Sequence, residues 1–505
     1  MPHRVFILCA WLCVIALAAY LRLNDLADRP MHADEATGAR ITANRMEANN
    51  YAFNPKHFHG PILSIVAEPI AKLGGEESWQ SLSKKTLRTG PVIAGLLVVL
   101  TPLFWTRCIG PWGTLAAGSF MATSPLLVYY SRMFIHESLL LLFAMLTLPV
   151  VYRLASKPTL MVAAIGGLGA GLMYATKETF AVSMLTWAAA CLTLFLSNRG
   201  EEDVARGLGT YILPATLFIG TTLVTAVLFY SNGFRSMDGA MNAFKTFFVY
   251  ETTPGHDKAF SYYLQLLVMP KHQAGIIWTE GIVPVLAVAS LAIACLQKAK
   301  RSVILFLGVA TVGHFLIYSL ISYKTPWLML VPWAHLCLLC GFVVEAALRS
   351  KPALRVACIL LIILGAGYQT KQSLHATGRF SSDIRNPYAY VPTSKDTEAL
   401  ADWLDELTAH NESIGGEPIA VIGSGYWPLP WYLKNLDSIG YWSKYDPAIE
   451  TLSIVFAMPE QNPEVARRLE TSHTALPRSL RAEVPITLHL RNDIWNAWIH
   501  PAAND

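Results

Sequence analysis

Hydrophobic positions along this chain fall in long, nearly uninterrupted runs separated by polar stretches. About eleven runs approach the roughly 20 apolar residues that a membrane-spanning helix needs. They lie near residues 4–22, 89–106, 111–130, 137–154, 159–176, 179–197, 208–230, 275–296, 302–322, 326–348 and 353–370. After Thr370 the texture becomes mixed and polar, with no run long enough to span. In that tail, Ser394–Ala409 has a helical period with Thr393 or Ser394 as a cap. Pro418–Ile422, Leu452–Ala457 and Ile486–Leu490 read as strands. The pattern predicts a mainly α fold: a polytopic membrane helical bundle over residues 1–370 and a small soluble α/β domain over 371–505.

Two polar stretches are long. Residues 23–88 hold amphipathic segments around Asp34–Asn49 and Gly60–Leu73. Residues 231–274 are rich in aromatics (Phe234, Phe244, Phe247, Phe248, Tyr250, Phe260, Tyr262 and Tyr263). Such a segment suits the membrane interface or a plug packed on the bundle. The first run follows His3 and Arg4, and Ala16-Leu17-Ala18 resembles a signal-peptidase site. Its apolar stretch continues to Tyr20, with Arg22 as an anchor, so it reads as a retained span; a cleaved signal peptide is the alternative.

Composition agrees with a lipid-solvated chain. Of 505 residues, 53% are hydrophobic and 15% charged, with a mean hydropathy of +0.38. The apolar fraction is too high for a disordered chain, and soluble domains carry about a quarter charged residues, which argues against an ordinary cytosolic enzyme. A net charge of +4 without a basic run gives no footprint for nucleic acid. All the cysteines except Cys108 lie in apolar runs, which excludes a disulfide framework. Cys337 and Cys340 have CxxC spacing but sit mid-run, as buried small residues.

The scarce charge is sorted. With the N-terminus inside, the inner loops carry Arg107; Arg153 and Lys157; Arg199 and Arg206; Lys298, Lys300 and Arg301; and Arg349, Lys351 and Arg355. The short outer loops carry only Arg132, Lys177 and Lys324. This is the positive-inside pattern. It predicts a multi-pass inner (plasma) membrane protein with a cytoplasmic N-terminus and an extracytoplasmic C-terminal domain.

Five polar clusters then share the outer face: His32-Ala33-Asp34-Glu35, His57-Phe58-His59-Gly60-Pro61, Ser131–Glu137 (with Arg132 and His136), Thr176-Lys177-Glu178, and Ser322–Trp327 (with Tyr323 and Lys324). Ionisable groups near membrane spans are costly and point to function. Adjacent carboxylates can supply a general base, and Arg132, Lys177 and Lys324 can hold a phosphate leaving group. Base, anion clamp and apolar groove together suit group transfer from a lipid-phosphate carrier. Asp34 and Glu35 also fit a helix cap, Lys177 and Glu178 an ion pair, and Arg132 and Lys324 interfacial anchors. The histidines could instead ligate a divalent metal, although His57 and His59 are poorly spaced for a helical pair. Glu280 could line the cavity, His314 and His335 read as structural, and His256-Asp257-Lys258 reads as a solvated turn or a substrate contact. Gly423-Ser424-Gly425 lacks the full dinucleotide spacing. The aromatic Tyr426–Tyr432 stretch suits sugars, a membrane surface or a packed turn.

One span followed by an exported loop opening on Asp34-Glu35 resembles the GT-C membrane glycosyltransferases, within them the protein O-mannosyltransferase and aminoarabinose-transferase branch. That branch has His-Pro-Pro-Leu later in the loop, where this chain has His59-Gly60-Pro61-Ile62, a departure at the first Pro. A closer resemblance is to the flippase-activity-associated proteins of archaeal N-glycosylation. It is carried by His57–Pro61, Tyr323-Lys324-Thr325-Pro326-Trp327 and Trp427–Tyr432. The resemblance implies a GT-C-like bundle and inverting transfer of a sugar from a polyprenyl-phosphate donor to a glycan, lipid or protein acceptor at the outer leaflet. Asp34 would act as base or position the acceptor, with Glu35 and His59 lining the site. Arg132, Lys177 and Lys324, on charge and side, are the expected phosphate contacts, and His136, Glu137, Glu178 and Tyr323 complete the set. The single Asp-Glu pair favours the metal-free branch, so no cofactor is expected. A transporter or flippase component for lipid-linked sugars is the main alternative. Such folds tend to show repeated halves with helices broken at the midplane, and no repeat stands out here. A scaffold without catalysis is a third reading.

Overall fold

A computed structural model describes residues 2–48, 53–197, 201–249, 255–410, 418–436 and 438–500. Asn49, Arg199 and Tyr250, named above, lie outside them. The helices are α1 (Pro2–Leu23), α2 (Ala33–Ala48), α3 (Ile62–Leu73), α4 (Lys84–Leu100), α5 (Thr106–Ile109), α6 (Pro111–Thr123), α7 (Pro125–Ser131), α8 (Glu137–Ser156), α9 (Leu160–Thr176), α10 (Phe180–Ser197) and α11 (Glu201–Tyr230). They continue with α12 (Met237–Val249), α13 (Tyr262–Leu267), α14 (Ile282–Leu296), α15 (Lys298–Leu320), α16 (Leu330–Leu348), α17 (Pro352–Thr377), α18 (Lys395–His410), α19 (Leu429–Tyr432), α20 (Asn462–Leu469) and α21 (Asn492–Ile499). Among the described residues, eight helical stretches are long and apolar enough to cross a membrane. The protein is an integral membrane protein with a largely helical body.

Three expected spans differ. The run at 111–130 is not one helix but α6 and α7, broken at Ser124-Pro125. Pro125 occupies the first turn of α7, and the Ser124 side chain caps it by accepting from Leu127 N–H. The buried Glu280 carboxylate fills the break, accepting from Ser124 Oγ at 2.5 Å and Leu126 N–H at 3.1 Å. Tyr388 and Trp333 also donate to it. Glu280 thus serves as a cap at a helix N-terminus and not as a cavity wall. The run at 275–296 loses its start to a small antiparallel ribbon, β1 (Lys271–Gln273) with β2 (Ile276–Trp278), leaving α14 at 15 residues. α9 has 17. Rising about 1.5 Å per residue, both fall short of a bilayer core of about 30 Å.

Two buried arginines tie the helix ends on the polar side. Arg22 donates to Met121 and Ala122 carbonyls at the end of α6. Arg132 donates to Leu21, Asn24 and Asp25 carbonyls at the end of α1. Both satisfy carbonyls that a helix terminus leaves open.

The tail carries a five-stranded mixed sheet in the order β4-β3-β5-β7-β6, from β3 (Ile419–Ile422), β4 (Ile439–Trp442), β5 (Ile454–Ala457), β6 (His473–Arg481) and β7 (Val484–Arg491). The three expected strands are present, and β4 and β6 join them. β3 is buried along its whole length, with Val421 in one core cluster and Ala420 in another. The sheet domain docks on the loop after α1: Tyr432 hydroxyl accepts from Met31 N–H at 2.8 Å, and Thr393 Oγ1 donates to Met31 carbonyl at 2.7 Å. Lys84 pairs with Glu398 across the same junction. In the second long loop, α12 leaves Met241, Phe244 and Phe248 exposed, the face an interfacial helix presents to lipid.

Candidate functional site

The adjacent carboxylates Asp34 and Glu35 open α2, where an anionic side chain favours the helix dipole. Their fates then diverge. Glu35 is fully buried, and both its oxygens are occupied. Oε2 accepts from Arg29 at 2.9 Å, Arg88 Nη2 at 3.0 Å and His32 N–H at 3.0 Å. Oε1 accepts from Arg88 Nε and Phe134 N–H, each at 2.8 Å. Burial pushes this carboxyl up, but Arg29 and Arg88 outweigh it and hold it well below the usual carboxylate range. Arg88 reaches further, to the carbonyls of Leu26, Arg29 and Pro30. Glu35 therefore knits the 26–35 turn to α4 and to the 132–134 turn.

With that turn fixed, Asp34 projects outward with 57% of its side chain exposed. His32 stands beside it, Nδ1 at 3.8 Å from Oδ2. Its charge acts on His256, Tyr323, Tyr390 and Arg481, which come from four distant parts of the chain. His256 Nδ1 hydrogen-bonds Tyr390 hydroxyl at 2.7 Å, and its ring lies 4.9 Å from that of Tyr323. Burial holds the His256 imidazole below its ordinary value, against the pull of Asp34. Burial pushes the Tyr390 phenol up to about 12, with Tyr323 and Asp34 adding to it.

Tyr323 and Lys324 stand opposite His256–Lys258, where two short extended segments pair through Lys258 N–H to Ser322 and Lys324 N–H to His256. The Lys324 ammonium donates to Lys258 and Ile321 carbonyls. Like Arg132, it is spent on backbone. Two of the three cations expected to hold a phosphate thus hold walls together.

The remaining candidates form a second cluster. His59 Nδ1 meets Glu178 at 3.0 Å, and its ring lies 5.1 Å from that of His136. His136 Nε2 hydrogen-bonds Gly60 carbonyl. The Lys177 ammonium pairs with Glu137 at 2.5 Å. Burial pushes the Glu178 carboxyl up, but the neighbouring His59 and Lys177 outweigh it and bring it to about 2. Gly60 crosses the end of α9 so closely that a Cβ would collide with the Ala175 carbonyl. Glycine, with no Cβ, is what this close approach admits. Tyr323 stands between the clusters: burial raises its phenol to about 12, and Lys177, Asp34, Glu137 and Glu178 all act on it. The structure thus brings Asp34 and Tyr323 toward His59, His136, Glu137, Lys177 and Glu178, and turns Glu35, Arg132 and Lys324 to bracing. Tyr390 and Arg481 were invisible in the sequence, since neither lies in a local motif. Among the described residues, no three His, Cys, Asp or Glu side chains gather closely enough for a metal.

No protein-family model matches the sequence, and no curated protein matches it. Solved structures do match. ArnT from Cupriavidus metallidurans in the apo state superposes with a TM-score of 0.66 at 14% identity, covering 96% of this chain and 98% of that one. The chain has the GT-C fold. The same ArnT bound to undecaprenyl phosphate gives a TM-score of 0.65 over the same shares at 14% identity. The GT-C fold recurs in the oligosaccharyltransferase AglB from Archaeoglobus fulgidus, in complex with an inhibitory peptide and a dolichol-phosphate. There the TM-score is 0.55 at 12% identity, covering 98% of this chain and 77% of that one.

Proposed function

We propose that this protein is a membrane glycosyltransferase that moves a sugar from a polyprenyl-phosphate-linked donor to an acceptor hydroxyl or amide, with inversion. The observation that carries the proposal is the split between its paired carboxylates: Glu35 is locked, and Asp34 is presented to open space beside His32, His256 and Tyr390. The GT-C fold, matched over nearly the whole length of ArnT, supports it. So does the undecaprenyl phosphate that one such neighbour holds.

Asp34 takes the acceptor proton as the acceptor atom forms its bond to the anomeric carbon. The bond from that carbon to the lipid-phosphate oxygen breaks, and the phosphate leaves with the electron pair. Tyr323 and the Lys177–Glu137 and His59–Glu178 pairs line the donor side, with Lys177 nearest in character to a phosphate contact. Glu35, Arg132 and Lys324 act as positioning residues. We place this face, with the sheet domain, outside the cell and the N-terminus inside. The His57–Pro61, Tyr323–Trp327 and Trp427–Tyr432 segments support a place for the chain in the flippase-activity-associated branch. The transport reading gains nothing from the broken α6–α7 pair, because Glu280 fills the break.

Purified protein in liposomes with labelled polyprenyl-phosphate sugar tests the proposal. Release of polyprenyl phosphate with sugar on an acceptor supports it. Movement of intact lipid-linked sugar across the bilayer without transfer overturns it.

A further inference from the structure

The aromatic Tyr426–Tyr432 stretch has so far served only to dock the sheet domain, through Tyr432. Its other end opens a cleft of about 290 Å³ between that domain and the first long loop. Arg40 of α2, Trp79, Tyr426, Trp427, Lys434 and Tyr441 line it. The Tyr426 and Tyr441 rings lie 4.8 Å apart at 31°. Trp79 stands edge-on to Trp431, and each carries a cation over its face: Arg40 at 5.1 Å and Lys434 at 4.0 Å from the ring centres.

The charge is one-sided. Among the described residues, no carboxylate lines the cleft. Arg40 is exposed and forms no ion pair among the described residues. Lys434 donates to Leu82 carbonyl, and burial lowers its ammonium to about 8 against the field of Glu76. Glu76 itself is engaged with Ser83 and Thr86. Aromatic faces beside polar groups suit the C–H faces of a sugar ring. An unpaired guanidinium suits a carboxylate or phosphate. The volume is at the lower end for small-molecule pockets, about 300 Å³, which is room for a single sugar unit.

The cleft is also next to the proposed reaction site. Arg40 follows Asp34 by six residues on α2, about 9 Å along the helix axis. Arg481, on which the Asp34 charge acts, donates to Gly425 carbonyl at 2.6 Å, just before Tyr426. We propose that this cleft is a subsite for an anionic saccharide unit of the acceptor, stacked on Tyr426 and Trp427 with its negative group on Arg40. Only the word acceptor rests on the transferase reading; the binding itself does not.

The test uses the full chain in neutral-lipid nanodiscs and tryptophan fluorescence titration with three probes: a uronic-acid trisaccharide, a phosphorylated disaccharide and a neutral trisaccharide. At least one anionic probe should bind tenfold or more tightly than the neutral one, and which of the two does so identifies the group. Arg40→Gln should remove most of that preference, with its thermal midpoint unchanged, and Arg40→Lys should restore part of it. Equal binding of all three probes, or a preference untouched by Arg40→Gln, overturns the proposal. Anionic binding that persists in a protein unable to transfer sugar would sink the transferase reading alone.

Discussion

Replacing Glu35 with Gln keeps the shape and removes one charge. In the native fold that carboxylate has no exposed surface and accepts five hydrogen bonds, three from the guanidinium groups of Arg29 and Arg88. The amide would offer one acceptor oxygen and turn an N–H₂ toward donors, leaving two buried cations without a counter-charge. Breaking a buried ion pair from one side costs about 3–5 kcal/mol, a large share of a typical total of about 5–15 kcal/mol. At a few degrees per kcal/mol, the unfolding midpoint should fall by about 5–10 °C. The control is Glu68→Gln. Glu68 pairs with Arg45 and Lys72 at a partly exposed position, where a pair is worth about 0–1 kcal/mol. The assay is thermal unfolding in detergent, read by intrinsic tryptophan fluorescence. An E35Q midpoint equal to that of wild type, or to that of E68Q, would refute the bracing role of Glu35.

Gly60→Ala should cost about 1–3 kcal/mol, the usual price of overpacking, because the new methyl meets the Ala175 carbonyl; unfolding midpoints measure the loss, and transfer should fall with it. The Glu178 carboxyl is depressed to about 2 beside His59 and Lys177. Its contribution to stability is therefore complete above about 4.5, the unfolded value, and disappears as pH falls toward 2. Wild type should exceed Glu178→Gln in midpoint at pH 6, and the gap should narrow steadily below pH 4.5; a gap independent of pH removes the pair. Chelation with EDTA should leave sugar transfer at its original rate, and transfer that stops and returns with a divalent cation would overturn the metal-free assignment.

Much of the architecture was legible from the apolar runs, because lipid solvation demands length and hydrophobicity before anything else. The exceptions have local causes. The third run reads as continuous until Ser124-Pro125, whose capping and missing N–H end one helix and start the next. The eighth run surrendered Ile276–Trp278 to a β-ribbon, since a short apolar stretch rich in β-branched and aromatic residues suits a strand as well as a helix. β4 and β6 carry few fully buried positions and so showed no clean alternation.

The candidate site was less legible. Asp34 and Glu35 are neighbours with the same chemistry, and what separates them is Arg88, 53 positions away from Glu35. Arg132 and Lys324 carried the right charge on the right side. Their carbonyl partners, at Leu21–Asp25 and Lys258, follow from tertiary packing that no spacing encodes. Tyr390 and Arg481 reach Asp34 from positions more than 350 residues further along the chain. The pairing of His59 with Glu178 depends on Gly60 fitting against α9, which the sequence registered only as a departure from a family motif.

The most direct test of the account is transfer of labelled sugar from a polyprenyl-phosphate donor in proteoliposomes, comparing wild type with Asp34→Asn. Asp34 is exposed, its nearest ionisable contact being His32 at 3.8 Å, so the variant should keep the wild-type unfolding midpoint. Loss of a general base costs about 10²- to 10⁴-fold, and the account predicts a fall of that size in transfer with donor binding retained. A variant that transfers sugar at the wild-type rate would contradict it.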